Sequence, residues 1–128
     1  MINMTSERKL NPIQKYNRLN DVFATDQVGP GGANHAYVIK GGGMGDTPYC
    51  HVEIQFQKGP RNDPNSIAGV LEGDLLEIVR DRLKAFQAGD FACEENAAAL
   101  KYVELALMFM NRRAEERASR NVLGTMNK

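Results

Sequence analysis

The 128-residue sequence has few cysteines, no surplus of charge of either sign and no long apolar run. Its two cysteines, Cys50 and Cys93, are fewer than the disulfide framework of a small secreted domain usually contains. Sixteen basic residues balance sixteen acidic residues, which excludes the cationic surplus that binds DNA or RNA polymers non-specifically. No apolar segment approaches the roughly 20 residues that span a bilayer, and the polar start lacks the apolar core of a secretory signal. We therefore expect a soluble intracellular protein with no DNA, RNA or membrane partner.

The sequence also carries no pattern typical of a catalytic or metal site. The glycines at 41–45 are followed neither by Lys-Ser/Thr nor by a helix, so they do not predict a phosphate loop. The histidines, His35 and His51, and the two cysteines lack metal-ligand spacing. No nucleophile–base arrangement and no acid–base pair of carboxylates stands out. We expect no catalytic residue, no cofactor and no metal ion.

Two kinds of apolar periodicity predict an α+β fold. Residues 1–33 show little periodicity and stay unassigned, whereas residues 34–128 are predicted to form a single α+β domain. Alternating apolar and polar residues at about 35–57 predict a small antiparallel β-sheet. Apolar residues at three- and four-residue steps over about 74–120 predict a long antiparallel helical hairpin.

The strands can be specified further from their side chains. A brief apolar patch, Leu19, Val22 and Phe23, suits an edge strand. Within the strand at 49–57, alternate residues are expected to face inward while their neighbours face water, and these inward residues are Cys50, Val52, Ile54 and Phe56. The glycine-rich segment 41–48 is predicted to be the loop that precedes this strand.

The two helices differ in length, which has a consequence for assembly. Helix one is predicted from Asp74, its N-cap, to about residue 88, and helix two from about residue 94 to 120. These lengths correspond to roughly 22 Å and roughly 40 Å. The far half of helix two therefore has no helical partner within the hairpin, although its apolar residues lie on more than one face. We expect the chain to be homo-oligomeric.

A set of residues in the hairpin is typical of nucleotide recognition. An aromatic ring such as Phe86 can stack on a base, and the amide of Asn96 can read a base edge. Two arginines one turn apart, Arg113 and Arg117, can bind phosphates with their guanidinium forks. Each residue also has a structural interpretation: Phe86 fits the apolar stripe, Asn96 could cap its helix, and the arginines could be a solvated helix end.

The spacing of these residues limits where a shared site can form. Asn96 and Arg113 are seventeen residues apart on one predicted helix, which is roughly 25 Å. A small nucleotide cannot contact both in the same chain. If they share a ligand, the site lies between chains, with the hairpin tip of one copy against the arginine end of another.

Five stretches within about residues 49–128 resemble phage proteins of the Thoeris anti-defence sponge family, of the first type described. Several unusual residues keep their order and spacing, most specifically the phenylalanines, cysteine and asparagine around the connection between the helices. The stretches are residues 56–60, 73–83, 86–89, 91–97 and 113–125.

This resemblance implies a function in which a signal is bound and not cleaved. Proteins of this family form oligomers, reported as hexamers, that hold the glyco-cyclic ADP-ribose made by bacterial TIR-domain enzymes in the cytoplasm of the infected host. The resemblance assigns base stacking to Phe86 and nucleotide contact to Asn96. It assigns phosphate or ribose contact to Arg113 and Arg117 of a neighbouring chain.

The resemblance also implies a second nucleotide site in some members, which bind cyclic trinucleotides through two arginines. The first corresponds to Arg61. The second position holds Glu94, whose carboxylate would repel phosphates. Other interpretations stay open at this point: a sponge for cyclic di- or trinucleotides of CBASS immunity, a phage assembly or regulatory protein with no small ligand, or a nucleotide hydrolase.

Overall fold

The computed structural model describes residues 7–16, 19–42 and 49–128. They divide into two compact units. The first contains the chain up to residue 59 together with residues 63–69, and the second contains residues 60–62 and 70–128. The first unit holds the strands and the second holds the helices, so the predicted α+β class is confirmed. The assignment of residues 34–128 to one domain stays a prediction.

The first unit is a four-stranded antiparallel sheet whose strands follow one another in chain order. The strands are β1 (Arg8–Lys9), β2 (Asp21–Ala24), β3 (Ala36–Gly42) and β4 (Tyr49–Gln55). The expectation that Val22 and Phe23 belong to an edge strand is wrong. Their strand β2 pairs with β1 on one side and β3 on the other, because the polar Arg8–Lys9 segment supplies the outer strand.

The core of the sheet unit is small. Ala24 and Val38 are its buried apolar residues within the described part of the chain, and Tyr37 packs edge-on against Phe56 at 5.6 Å between ring centroids. Cys50 and Ile54 are partly buried as expected, but Val52 is 48% exposed. The inward orientation predicted for Val52 therefore does not bury it in this chain.

A carboxylate fixes the segment that leads into β3. Asp26 accepts hydrogen bonds from the backbone N–H of His35 at 3.0 Å and from the side-chain amide of Asn34 at 3.1 Å. Desolvation raises the pKa of Asp26, but these hydrogen bonds outweigh it and hold the pKa below its usual value. Asp26 is therefore charged in the fold at neutral pH and stabilises the turn before β3.

Glycine is required where β3 meets the preceding segment. A Cβ atom at Gly41 would lie 2.5 Å from the backbone oxygen of Leu19 and 2.9 Å from the Cα of Asn20, closer than a side chain tolerates. Gly41 and Gly42 extend β3, so the predicted loop at 41–48 begins later than expected. Its remaining residues, 43–48, lie outside the described part of the chain.

The second unit is a helical hairpin of α1 (Glu72–Gln87) and α2 (Glu94–Ser119). Asp74 is not the N-cap of α1 as predicted. The helix starts two residues earlier, and the Asp74 carboxylate reaches back to accept the N–H of Leu71 at 2.9 Å, which satisfies a donor that the first turn leaves open. Across the hairpin, Arg80 donates to Glu104 at 2.8 Å.

Helix α2 ends in a turn that continues into a folded tail. Asn121 adopts a left-handed φ of 62°, and the N–H groups of Asn121 and Val122 donate to the carbonyls of Ala118 and Arg117 at 3.1 and 3.0 Å. This pairing is the Schellman arrangement, in which asparagine can replace glycine as the left-handed residue. The tail after α2 is therefore set by the sequence at the helix end.

The hairpin keeps much apolar surface exposed. Neither helix has a fully buried residue, and α2 exposes 65% of Tyr102 and 61% of Phe109. These two residues lie seven positions apart, so they share a face of α2. Leu100 and Leu107, which are partly buried, also lie seven positions apart but on another face. The helix thus has a second apolar face that this chain does not bury.

Candidate functional site

The connection between the helices is held by hydrogen bonds at both of its ends. The side-chain oxygen of Gln87 accepts the N–H of Cys93 at 3.0 Å. Cys93 is the N-cap of α2, and its Sγ accepts the N–H of Asn96 at 3.4 Å. The side-chain amide of Asn96 in turn donates to the carbonyl oxygen of Phe91 at 3.2 Å. The hairpin tip is defined here as residues 82–96, and these contacts fix the connection within it.

Two aromatic rings meet at the tip. Phe86, in the last turn of α1, and Phe91, in the connection, contact each other edge to face with 6.5 Å between ring centroids. Phe91 is 75% exposed and Phe86 is partly exposed. An exposed aromatic pair beside a fixed amide can accept the flat face of a nucleobase.

Asn96 has a structural role and still keeps a free acceptor. Its Nδ2 group bonds to Phe91, which agrees with the structural interpretation of a local contact at the helix start. Among the described residues its Oδ1 atom accepts no hydrogen bond, and the side chain is partly exposed. The fold therefore orients the amide while leaving the carbonyl oxygen able to accept from a ligand.

The two predicted arginines near the C-terminal end of α2 differ in their hydrogen bonds. One guanidinium forms none with the described residues, and the other uses one of its nitrogens. Arg113 is exposed and has no hydrogen bond or ion pair within the described part of the chain. Arg117 donates through Nη2 to the carbonyl oxygens of Val122 and Thr125 at 2.9 and 3.1 Å. Its other guanidinium donors can still reach an anion, so Arg117 combines a contact to the tail with a free cationic edge.

Glu116 lies among these arginines, and an ion pair compensates its negative charge. The partner is Arg120, one turn further along α2. The hydrogen bond from Arg120 holds the pKa of Glu116 below its usual value, and the charges of Arg113 and Arg117 lower it further. The local surplus at this end of α2 is therefore cationic.

The structure does not bring all four predicted residues together in one chain. Phe86 and Asn96 belong to the hairpin tip, whereas Arg113 and Arg117 lie toward the other end of α2. Because α2 is continuous from Glu94 to Ser119, the seventeen residues between Asn96 and Arg113 span roughly 25 Å. A site shared by all four residues stays a prediction that requires two copies of the chain.

The two residues considered for a second nucleotide site are both exposed. Arg61 lies in the turn that follows Pro60, and Glu94 is the first residue of α2. Among the described residues, no hydrogen bond or ion pair joins them. This site also stays a prediction.

Sequence reasoning missed one charged residue at the tip. Arg82 lies four residues before Phe86, and its Cζ atom is 5.3 Å from the centroid of the Phe86 ring. The spacing of four residues places both on one face of α1, so the sequence did contain the signal. Arg82 is exposed, and its side chain has no ion pair among the residues that the structure describes.

Two further statements hold for the residues that the structure describes. No group of three or more His, Cys, Asp or Glu side chains is arranged to hold a metal ion. Neither helix is long and apolar enough to cross a membrane.

Comparison with known proteins agrees with the hairpin. A family model described as "Acb2/Tad1, hairpin domain" matches residues 48–115, more than half of the chain. This chain belongs to the Acb2/Tad1 hairpin-domain family. Of the six site residues predicted from the sequence, five fall within the matched range, namely Arg61, Phe86, Glu94, Asn96 and Arg113, whereas Arg117 lies beyond it.

A curated relative of the Acb2/Tad1 chain is also similar in sequence. It is a Bacillus phage SBSphiJ7 protein named "Thoeris anti-defense 1", which is 43% identical over 75 residues. The matched segment is 59% of this chain and 52% of the relative. The match thus spans about half of the relative's length.

Proposed function

We propose that this chain is a phage anti-defence protein that binds and sequesters glyco-cyclic ADP-ribose made by TIR-domain enzymes, and so blocks Thoeris immunity in the cytoplasm of the infected host. The ligand is held and not cleaved. The relative named for Thoeris anti-defence and the membership of the hairpin-domain family support the biological context. The exposed rings and the amide of the hairpin tip support the choice of a nucleotide ligand.

The observation that carries the proposal is the fixed tip with its exposed rings and free amide oxygen. Phe86 and Phe91 offer aromatic surface next to Asn96, whose orientation is set by its bond to the Phe91 carbonyl. Because these side chains are ordered before a ligand arrives, binding costs little conformational entropy. A sponge needs this property, since it must compete with a signalling receptor at about nanomolar affinity.

The charge of the ligand is matched at the other end of α2. Glyco-cyclic ADP-ribose carries a pyrophosphate, which needs cationic donors, and Arg113 is an exposed guanidinium without a partner among the described residues. Arg113 and Arg117 of a neighbouring copy would complete the site around a ligand stacked at the tip. Hydrogen bonds from these guanidinium groups to the pyrophosphate would be charge-assisted, and therefore shorter and stronger than neutral ones.

The surface of α2 supports assembly into such an oligomer. Tyr102 and Phe109 are more than half exposed in the single chain, and large aromatic side chains at this exposure are typical of an interface. We propose a homo-oligomer, with a hexamer as its expected size. A solution mass equal to one chain at micromolar concentration would contradict this part of the proposal.

One capture experiment separates the proposed function from its alternatives. Purified protein is incubated with glyco-cyclic ADP-ribose or with cyclic di- and trinucleotides, filtered to remove free ligand, and heated to release what it holds. Intact glyco-cyclic ADP-ribose in the released fraction supports the proposal. A chemically changed nucleotide indicates a hydrolase, exclusive capture of cyclic oligonucleotides indicates a CBASS sponge, and no capture indicates an assembly protein.

Variants of the tip test the site within this experiment. Phe86→Ala and Asn96→Ala are expected to abolish capture while the oligomer persists. Asn111→Ala is the matched control, because Asn111 is an exposed asparagine on the same helix that bonds only to Glu115 at 2.8 Å among the described residues. Unchanged capture by both tip variants would contradict the site assignment.

A further inference from the structure

Arg82 is a cation at the hairpin tip for which the fold has no evident use. Its guanidinium lies 5.3 Å from the centre of the Phe86 ring. It is exposed and forms no ion pair in the described part of the chain. We propose that Arg82 is a ligand-contacting residue that binds the pyrophosphate of the nucleotide whose base stacks on Phe86. This inference rests on the proposed function and adds a cation from the same chain as the stacking ring.

The geometry of α1 places this cation next to the ring. Residues four apart on a helix lie on the same face one turn away from each other, and the cation–π contact holds the guanidinium against one face of the ring. In a nucleotide, one ribose separates the base from the phosphates. A ligand stacked at Phe86 would therefore present its pyrophosphate within reach of Arg82.

The chemistry of arginine suits this position better than that of lysine. A guanidinium carries five N–H donors in a planar fork, and this fork matches two oxygens of a phosphate group while its flat face stays on an aromatic ring. An exposed charge without an ion-pair partner adds little to the stability of the fold, and a cation–π contact at an exposed site adds only a small amount. The residue is therefore free to serve a ligand.

Its acidic surroundings do not neutralise it. Arg80, at the middle of α1, forms ion pairs with Glu77 and Glu104, so these carboxylates are already occupied. Asp81 and Lys84 lie on other faces of the helix, since each residue advances about 100° around the axis. Lys84 is therefore a matched control: a nearby cation, equally exposed, that points away from the Phe86 ring.

The test is equilibrium binding of glyco-cyclic ADP-ribose at low and at high salt to the full-length protein and three variants. Arg82→Gln is expected to raise Kd about ten- to a hundred-fold, the usual loss for one charge-assisted hydrogen-bond pair. Arg82→Lys is expected to recover part of this loss, because it restores the charge without the fork. Lys84→Gln is expected to bind like the wild type.

The salt dependence distinguishes a phosphate contact from simple packing of the guanidinium on Phe86. Wild-type affinity should fall with added salt more steeply than that of Arg82→Gln, since screening weakens a contact that the variant has lost. Because the cation–π contact is exposed and contributes little, all three variants should melt close to the wild-type temperature. If Arg82→Gln loses affinity but keeps the wild-type salt dependence, the loss comes from packing and the proposal is wrong.

The remaining outcomes separate this inference from the proposed function. Capture by the wild type, its loss in Phe86→Ala, and unchanged affinity of Arg82→Gln would overturn the role of Arg82 alone. If the wild type captures no nucleotide at all, the proposed function fails and the role of Arg82 fails with it.

Discussion

Replacing Asn96 by aspartate separates the fold of the hairpin tip from its proposed binding function. Asn96 is the third residue of α2, after the cap Cys93, and its amide donates to the Phe91 carbonyl at 3.2 Å. A carboxylate at this position cannot donate, so that bond is lost. The same carboxylate carries a negative charge in the first turn of a helix, where the macrodipole favours it.

The two effects on stability nearly cancel. An exposed neutral hydrogen bond contributes about 0.5–1.5 kcal/mol, and a charge in the first turn returns about 0.3–1 kcal/mol. The net change in the free energy of unfolding is therefore within about 1 kcal/mol. This corresponds to a shift in melting temperature of no more than about 8 °C. Asn96→Ala loses the same bond without the compensating charge, so it should melt lower than Asn96→Asp.

The effect on ligand binding comes from the added charge. The Asn96 amide donates to Phe91 and leaves Oδ1 to accept from a ligand, whereas an aspartate keeps an acceptor there and places a negative charge near the pyrophosphate. At about 6 Å the repulsion is about 0.7–2.8 kcal/mol for each ligand charge, for effective dielectric constants of about 80 and 20. Kd is therefore expected to rise about 3- to 100-fold for each ligand charge.

The assay combines thermal unfolding with calorimetric titration of glyco-cyclic ADP-ribose into each protein. We expect Asn96→Asp to melt close to the wild type and to bind far more weakly. Wild-type affinity in Asn96→Asp would refute the reasoning, because the amide would then lie outside the site. A melting temperature of Asn96→Asp at or below that of Asn96→Ala would show that the tip itself is damaged.

Three further variants test other parts of the structure. Arg117→Ala should speed hydrogen exchange in the C-terminal tail, because the Nη2 group of Arg117 donates to two tail carbonyls. The control Arg113→Ala should leave exchange unchanged, and equal rates in both variants would contradict the tail contact. Cys93→Ser should raise the melting temperature by about 1–5 °C, since serine is a stronger N-cap acceptor than the thiol, and a lower value would argue against this cap. The pKa of Asp26 is lowered in the fold, so its stabilisation is present above the unfolded pKa and is lost as pH falls through the folded pKa. The stability of Asp26→Asn should therefore depend less strongly on pH below about pH 4 than that of the wild type. Acid titration followed by circular dichroism measures this, and the same acid unfolding curve for both proteins would contradict the role of this carboxylate.

The sequence predicts the hairpin well because its pattern is local. Apolar residues at three- and four-residue steps, acidic residues at the start of α2 and the short connection all act within a few turns of helix. The predicted limits of α2 differ from the structure by one residue at the C-terminal end. The start of α1 was misplaced because Asp74 can satisfy a first-turn donor from the third helical position as well as from the cap.

The sheet was harder to predict because its pairing is not local. Arg8–Lys9 has no apolar pattern, yet it pairs with β2 and makes β2 an inner strand. Val52 follows the alternation of a buried strand but stays 48% exposed, since alternation states which side of a strand a residue faces and not whether anything covers that side. Packing partners decide burial, and these cannot be read from one strand.

At the candidate site, residue type could be predicted but contacts could not. The sequence identified Phe86 and Asn96 from their chemistry. It could not show that Asn96 is bonded to Phe91 or that Arg117 holds the tail, since both partners are backbone carbonyls that any residue would provide. Arg82 was missed because its spacing of four residues from Phe86 was not considered, although this spacing places both residues on one face of α1.

The unbroken course of α2 has a consequence for how a sponge would respond to its own abundance. If the proposed two-copy site is correct, a continuous helix that keeps aromatic and cationic groups roughly 25 Å apart would make each complete site depend on an encounter between copies. Uptake of signal would then rise more steeply than linearly with protein level at low expression, and bound nucleotide would in turn hold the copies together by mass action. Early in infection, the timing of protection would follow the accumulation of assembled protein and not the first translated chains.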